Sequence, residues 1–576
     1  KAGGVYYTPK YIVDYIVENT VGKLLEDQSP EDASQLKIVD PACGSGSFLL
    51  GAFQYLLDWH EDYYLAHDPE RWAKGAAPAI VQTADGDWRL TTAEKKRILV
   101  NNLYGVDIDS QAVEVTKLSL LLKVLEEETG QLALGFERAL PDLSANIKCG
   151  NSLIGWDYFE GQLLPSEEEV ERVNPFDWEQ AFPEMFKRGG FDAVIGNPPW
   201  ISLSGKFGTD VYSSSQIQYL IQKFSGNTYM PNMYEYFVTK GLNLINNSGF
   251  FSFIVPDRLG FNSQFTNLRK RIVNEVEIYS LLFKAPFPGI TADTLIFVFQ
   301  KSEDPLNKII KISEFGKVIL DLKQKDILGN RGYSFGYFEN AEIQNLIGLI
   351  DSNCNYRLKD ICKTTSGFGG KSKLITKERI NENQILTMKG ESIGRYKFSH
   401  FLYFDFKKRN ITGRTTDPYK LGYKPKLLIR KTGDHIIATY DNSGVFPEQS
   451  LYFIYEKNIP VSYLYILGII NSSLLDIYFK AKLLTNKQSI AQIKKVDLDD
   501  LPMFIINMND PTEIKKHDHI VELVKHMLAL HNRTPQTPFE QEQLQREINA
   551  TDAQIDRLVY ELYGLTDEEI RIVEGD

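Results

Sequence analysis

The sequence predicts an α/β fold: a parallel sheet covered by helices, followed by a separate mixed α+β domain and a helical tail. Three observations carry this. Short apolar runs alternate with helix-periodic stretches over the first three hundred residues. From about residue 330 the texture changes to short β-rich runs punctuated by Gly and Asn. After about residue 510 the apolar spacing is helical again. The predicted segments are 1–325, 326–510 and 511–576.

Residues 11–25 carry apolar side chains at helical spacing, 37–39 form a short strand, 48–57 a helix, 102–106 a strand and 111–125 a helix. Strands follow at 193–195 and 250–255, and the apolar runs 278–283 and 294–299 suit a closing hairpin. Two insertions, 58–98 with Trp59, Trp72 and Trp88, and 158–190 with the acidic run of Glu167, Glu168 and Glu169, read as surface embellishments. In the second segment 426–430 and 436–440 read as strands. The apolar run 461–479 is broken by Asn471, Ser472, Ser473 and Asp476, so it reads as a buried helix rather than a membrane span. Residues 520–530 and 540–563 resemble a helical hairpin.

Four cysteines without a Cys-x-x-Cys pair exclude a disulfide framework and a cysteine zinc site, and with no signal-peptide pattern they point to a cytoplasmic protein. The chain starts at Lys1, which suggests that it was cut from something longer. Its net charge of -12 hides an uneven distribution: -14 over residues 1–300, +10 over 301–500 and -8 over 501–576. Residues 371–430 alone carry +10, an electrostatic footprint for phosphate, although a solvated basic face has the same composition.

Three local patterns carry chemistry. Asp40-Pro41-Ala42-Cys43-Gly44-Ser45-Gly46 lies between a strand and a helix, where glycines let backbone approach a ligand at a helix N-terminus; a plain tight turn shares the pattern. The third glycine of the dinucleotide fingerprint is missing, which disfavours NAD. Asp107 ends the strand of Gly105-Val106-Asp107-Ile108-Asp109, a place from which a carboxylate can accept both hydroxyls of a ribose; Asp109 suits a helix N-cap better. Finally, Asn197-Pro198-Pro199-Trp200 follows a strand. Two prolines remove backbone donors and hold the chain extended, leaving the Asn197 amide oxygen and the Pro198 carbonyl as a pair of acceptors beside a flat indole.

Together these segments resemble the amino-group DNA methyltransferases, most closely the adenine-N6 branch in which the cofactor motif precedes the catalytic motif and the target recognition domain comes last. Tyr6-Tyr7-Thr8-Pro9 is similar to the family's N-terminal cofactor segment, Gly150-Asn151-Ser152-Leu153 to its adenine-edge segment, and Pro286-Phe287-Pro288-Gly289 to the later motif whose aromatic packs on an extruded base. The resemblance implies a Rossmann-like S-adenosylmethionine-dependent sheet. It places Thr8, Pro9, Asp40, Ala42, Cys43, Gly44 and Gly46 at the methionine end of S-adenosyl-L-methionine, Asp107 on the ribose and Asn151 on the cofactor's adenine. Asn197 with Pro198 and Pro199 would be catalytic, and Trp200 and Phe287 would sandwich the target adenine. Asn151 and Trp200 depart from the commoner Asp and Tyr or Phe, without removing an acceptor or a stacking face.

The resemblance also implies double-stranded DNA as partner and base flipping as the route to the amino group. Residues 365–370 and 426–431 are similar to segments that approach DNA in restriction-system recognition domains, with Lys371, Lys373, Arg430 and Lys431 as candidate phosphate contacts. Phe398, Phe401, Tyr403, Phe404 and Phe406 are either stacking faces or core. No nuclease metal pattern is convincing: Asp321-Leu322-Lys323 lacks an earlier acid, and residues 513–515 open a helix, so a nuclease would lie upstream or on a partner subunit. Two other readings stay open, an amino-methyltransferase acting on RNA or protein, and a specificity subunit of a defence complex that binds DNA without turnover.

Overall fold

The protein, seen in a computed structural model, is described at residues 8–83, 85–126, 140–161, 165–203, 212–228, 230–290, 292–336, 341–483 and 492–575. Tyr6 and Tyr7 of the N-terminal segment lie outside them. The chain divides into two compact units, Lys1–Tyr337 and Phe338–Asp576. The tail beyond 510 therefore belongs to the second unit and is not a third body.

The first unit is built on a nine-stranded sheet. Its strands are β1 (Ile38–Asp40), β4 (Leu103–Asp107), β5 (Ile147–Cys149), β6 (Phe191–Gly196), β7 (Ile245–Pro256), β8 (Val276–Phe283), β9 (Thr294–Lys301), β10 (Ile309–Glu314) and β11 (Lys317–Lys323); β2 (Ile80–Gln82) and β3 (Trp88–Leu90) form a separate hairpin. The order is β11-β10-β8-β9-β7-β6-β1-β4-β5. From β5 to β7 every neighbour is parallel, whereas β9 inserts antiparallel between β7 and β8. The predicted closing hairpin thus forms, with β9 buried in the sheet rather than at its edge. Near-continuous burial of β1, β6 and β9 follows from helices on both faces, and it explains why these strands read as apolar runs without alternation.

Three helices position the site. Helix α1 (Lys10–Val17) starts at Pro9 and buries Ile12, Val13, Ile16 and Val17; α2 (Ser47–Ala66) leaves the β1 turn at Gly46; and α3 (Ser110–Leu125) is capped by the Asp109 carboxylate on the Gln111 N–H, as that residue's sequence position predicts. A fourth, α4 (Met233–Leu244), packs its buried Tyr236 and Phe237 into the same core as Phe191 and Phe253. The 158–190 insertion is a correction to the sequence reading: Val173, Trp178, Phe182 and Met185 are core residues, with Trp178 donating its indole N–H to the Ser152 carbonyl at 3.0 Å.

In the second unit, strands Cys362–Ser366, Leu451–Lys457, Lys426–Arg430 and Ala438–Asp441 form one antiparallel sheet, in that order. Helix α5 (Tyr463–Ile470) lies against it and ends at the break carried by Asn471 and Ser472. Asn471 bonds Ala438 in both directions at 3.0 Å, so the polar interruption in the apolar run ties helix to strand. Helices α6 (Pro511–His531) and α7 (Pro538–Tyr563) form the predicted hairpin, and Val524, Ile555 and Tyr563 share one core with Ile466 and Leu427. No single helix among the described residues is long and apolar enough to cross a membrane.

Candidate active site at the carboxyl ends of the strands

The strands β1, β4 and β6 end together. Register pairs Asp40 with Gly105 across β1 and β4, and Val39 with Val194 across β1 and β6, so Asp40, Asp107 and Asn197 emerge at one edge of the sheet. Here the order reverses around β1, the position where open α/β sheets leave a crevice for ligands.

The Asp40–Gly46 turn is held from within. Ala42 N–H donates to Asp40 Oδ1 at 2.9 Å, Cys43 N–H to the Val106 carbonyl at 3.1 Å, Gly44 N–H to Asp107 Oδ2 at 2.8 Å and Gly46 N–H to the Cys43 carbonyl at 2.8 Å. These four backbone donors shape the turn and are engaged within the protein. Cys43 points into the core, and burial pushes its thiol well above its usual range. What the turn offers is space. Gly44 has φ +51°, and nothing lies within 4 Å of where its Cβ would be. Gly46, at φ +84°, is pressed on Thr116, whose hydroxyl donates to the Gly44 carbonyl at 2.8 Å.

Asp107 accepts from Asp109 N–H at 2.9 Å as well as from Gly44, which leaves each carboxylate oxygen a further lone pair. Burial raises its pKa. Beside it Ile108, which the sequence reading passed over, is an apolar side chain standing 48% exposed at the strand end. The open side of Gly44, a carboxylate and an apolar face together fit a nucleoside cofactor such as S-adenosylmethionine. Asn151, expected on the cofactor's adenine, is buried and occupied: its Oδ1 accepts from Leu153 and Ile154 N–H at 3.1 and 3.2 Å, and its Nδ2 donates to the Val173 carbonyl at 3.2 Å. In this structure it builds the turn after β5.

Asn197 is different. Its Nδ2 donates to the Thr8 hydroxyl at 3.2 Å, while its Oδ1 is buried without a hydrogen-bond partner. An orphaned buried acceptor is costly, about 1–3 kcal/mol, and natural proteins keep few of them. Trp200 Nε1 and Asn232 Oδ1 are buried and unpartnered too, and Asn232 lies on the segment bridged to Ser202 just beyond the tetrapeptide. Asn232 carried no local signal in the sequence. Trp200 and Phe287 meet as predicted, but their rings cross at 60° with centroids 5.7 Å apart. A base stacked between two rings needs them parallel and about 6.8 Å apart, twice the ~3.4 Å stacking step. Here the pair is closed on itself.

In the second unit the basic stretch is partly structural. Arg430 donates from Nε to the Gly390 carbonyl at 2.8 Å and from a second nitrogen to that of Ile393, so part of its guanidinium is engaged within the unit. Lys426 is fully buried in an ion pair with Asp441 at 2.9 Å. Lys431 donates to Ser366 Oγ at 2.6 Å and sits 4.2 Å above the Tyr452 ring, with burial bringing its pKa down to about 8. Lys371 and Lys373 are exposed. Phe404 and Phe406 pack on Phe368 in the core, leaving Phe398 and Phe401 as exposed rings.

Family models match three stretches of the chain: N-6 DNA Methylase over residues 1–140, the Eco57I restriction-modification methylase over 101–285 and the TaqI-like C-terminal specificity domain over 385–503. A putative type II restriction enzyme and methyltransferase of Methanocaldococcus jannaschii is 23% identical over 88% of this chain and 54% of its own length. The type II restriction enzyme and methyltransferase RM.Eco57I of Escherichia coli is 24% identical over 79% of this chain and 42% of its own. The chain thus spans about half the length of these curated relatives. Among solved structures, the type IIL restriction-modification enzyme MmeI in complex with DNA superposes with a TM-score of 0.58 at 14% identity, covering 98% of this chain and 75% of that one. The DrdV–DNA complex gives 0.54 at 12% identity, covering 94% and 60%. The fold is that of the α/β methyltransferases with a separate C-terminal domain, and the matched families support an adenine-N6 methyltransferase with a C-terminal recognition domain.

Proposed function

We propose that the chain transfers a methyl group from S-adenosylmethionine to the N6 amino group of an adenine extruded from double-stranded DNA, within a restriction-modification system. Residues up to Tyr337, the first unit, are the catalytic part, 338–510 read the target and 511–576 close the second unit. A nuclease acts from another part of the same protein or from a partner subunit; the curated relatives, named as restriction enzyme and methyltransferase together, are about twice as long.

The orphaned Oδ1 of Asn197 carries this reading. S-adenosylmethionine, when bound, supplies an electrophilic methyl on a sulfonium. Gly44 would give it close approach, Asp107 would accept from its ribose, and Ile108 would face its purine. The amino nitrogen of adenine is a poor nucleophile because its lone pair is delocalised into the ring. Asn197 Oδ1 and the Pro198 carbonyl accept hydrogen bonds from its two N–H groups and draw the nitrogen toward tetrahedral geometry, while Trp200 and Phe287 open to receive the base; as the methyl group moves to nitrogen one amino proton is released to water and the sulfonium is left as a neutral thioether. No general base with a displaced pKa is needed; positioning in a dry site does the work. The extruded base costs a few kcal/mol of unstacking, recovered on the two rings.

Asn197→Ala is expected to lose methyl transfer by at least a hundredfold, the scale of a lost transition-state contact, while binding S-adenosylmethionine within a few-fold of wild type. Turnover retained in that variant, measured with tritiated cofactor and duplex DNA, contradicts the assignment.

A further inference from the structure

The Asn197 carboxamide has two unlike ends, and only one of them can serve an amino group. If Nδ2 faced the base, donor would meet donor. The backbone does not choose between the two orientations; a partner must, and a hydroxyl, which can donate as well as accept, chooses only when its own proton is engaged elsewhere. In this structure Nδ2 is bonded to Thr8 Oγ1 at 3.2 Å, and Oδ1 is the end left over, buried and without a partner. Thr8 is only 4% exposed and is followed directly by Pro9, from which α1 starts. The backbone directly after Thr8 is held by the helix, since Ile12 N–H and Val13 N–H both donate to the Pro9 carbonyl.

We propose that Thr8 is a positioning residue for catalysis: its hydroxyl accepts from Asn197 Nδ2 and so fixes the amide with its oxygen toward the target amino group. The inference rests on the function proposed above and adds a role to Thr8 beyond cofactor contact. A hydroxyl accepts through one lone pair while donating its own proton. With its proton donated to the carboxylate of a bound cofactor, Thr8 could only accept from Asn197, which would link cofactor occupancy to the orientation of the acceptor.

The test is a variant series assayed on duplex DNA with S-adenosylmethionine. Thr8→Ser keeps the acceptor and should retain kcat within about twofold. Thr8→Val keeps the shape and removes the acceptor, and should lower kcat roughly tenfold, the scale of one hydrogen bond. Its KM for the cofactor should change less than kcat. Asn197→Asp makes the two ends equivalent oxygens, so adding Thr8→Val to that variant should cost less than it does in wild type. Cofactor binding by calorimetry confirms that each variant is folded. The proposal is overturned if Thr8→Val keeps wild-type kcat, if its whole loss lies in KM for the cofactor, if Thr8→Ser loses as much as Thr8→Val, or if the loss is the same in the Asn197→Asp background. Wild-type protein that methylates no adenine overturns the underlying function instead, and is recognised before any variant is compared.

Discussion

Gly196 sits directly before Asn197, and a Cβ there would lie 2.7 Å from Asp40 Oδ1. The carboxyl at the end of β1 thus fills the place of a side chain on β6 and joins the Asp40–Gly46 turn to the Asn197 segment. Burial pushes the Asp40 pKa up to about 8, with the nearby Asp107 adding in the same direction. A carboxyl whose folded pKa exceeds its unfolded value of 3.8 contributes stability that is fully present below about pH 4 and is lost as pH rises toward 8. Asp40→Asn has no proton to lose, so its melting temperature should fall less between pH 5 and pH 8 than that of wild type. Equal falls in the two proteins, measured by calorimetry, rule out Asp40 as the source. At this scale the sequence shows residue types but not their partners. Asn197 is legible because two prolines follow it, whereas the bond to Thr8 joins positions 189 apart. The engagement of Asn151 with Leu153, Ile154 and Val173 depends on a turn whose shape no local pattern announces.

Elements were easier to read than residues, because periodicity is set by burial. β1, β4 and β6 were legible as apolar runs, and their ends carry the motif residues. The place of β9 between β7 and β8 was not legible, since a hairpin signal says which strands pair but not which third strand joins them. Gly367 lies in the stretch expected to approach DNA, and a Cβ on it would stand 2.2 and 2.3 Å from the Pro447 and Glu448 carbonyl oxygens. It is there for close backbone packing. Gly367→Ala should therefore destabilise the second unit by about 1–3 kcal/mol, the cost of overpacking. Gly348→Ala, in the interior of helix Ala341–Asn353 with nothing within 4 Å, should stabilise it by roughly 0.5–1 kcal/mol. Denaturant melts of the two variants shifting in the same direction contradict this account of the glycines.

Across the whole chain, charge has more meaning by segment than by sum. The net -12 conceals the basic stretch at 371–430, and the structure divides that stretch again: Lys426 and part of the Arg430 guanidinium are engaged inside the unit, while Lys371 and Lys373 face outward. The second unit closes its core with its own C-terminal hairpin, so residues from 338 onward form one body with a sheet and a helical layer. Product identity tests most directly whether the first unit delivers a methyl group to adenine N6. Duplex DNA incubated with the protein and S-adenosylmethionine, digested to nucleosides and resolved by mass spectrometry, should contain N6-methyladenine in wild-type reactions and none with Asn197→Ala. Methyl groups on cytosine, or on RNA or protein supplied in competition while adenine stays unmodified, would contradict the claim.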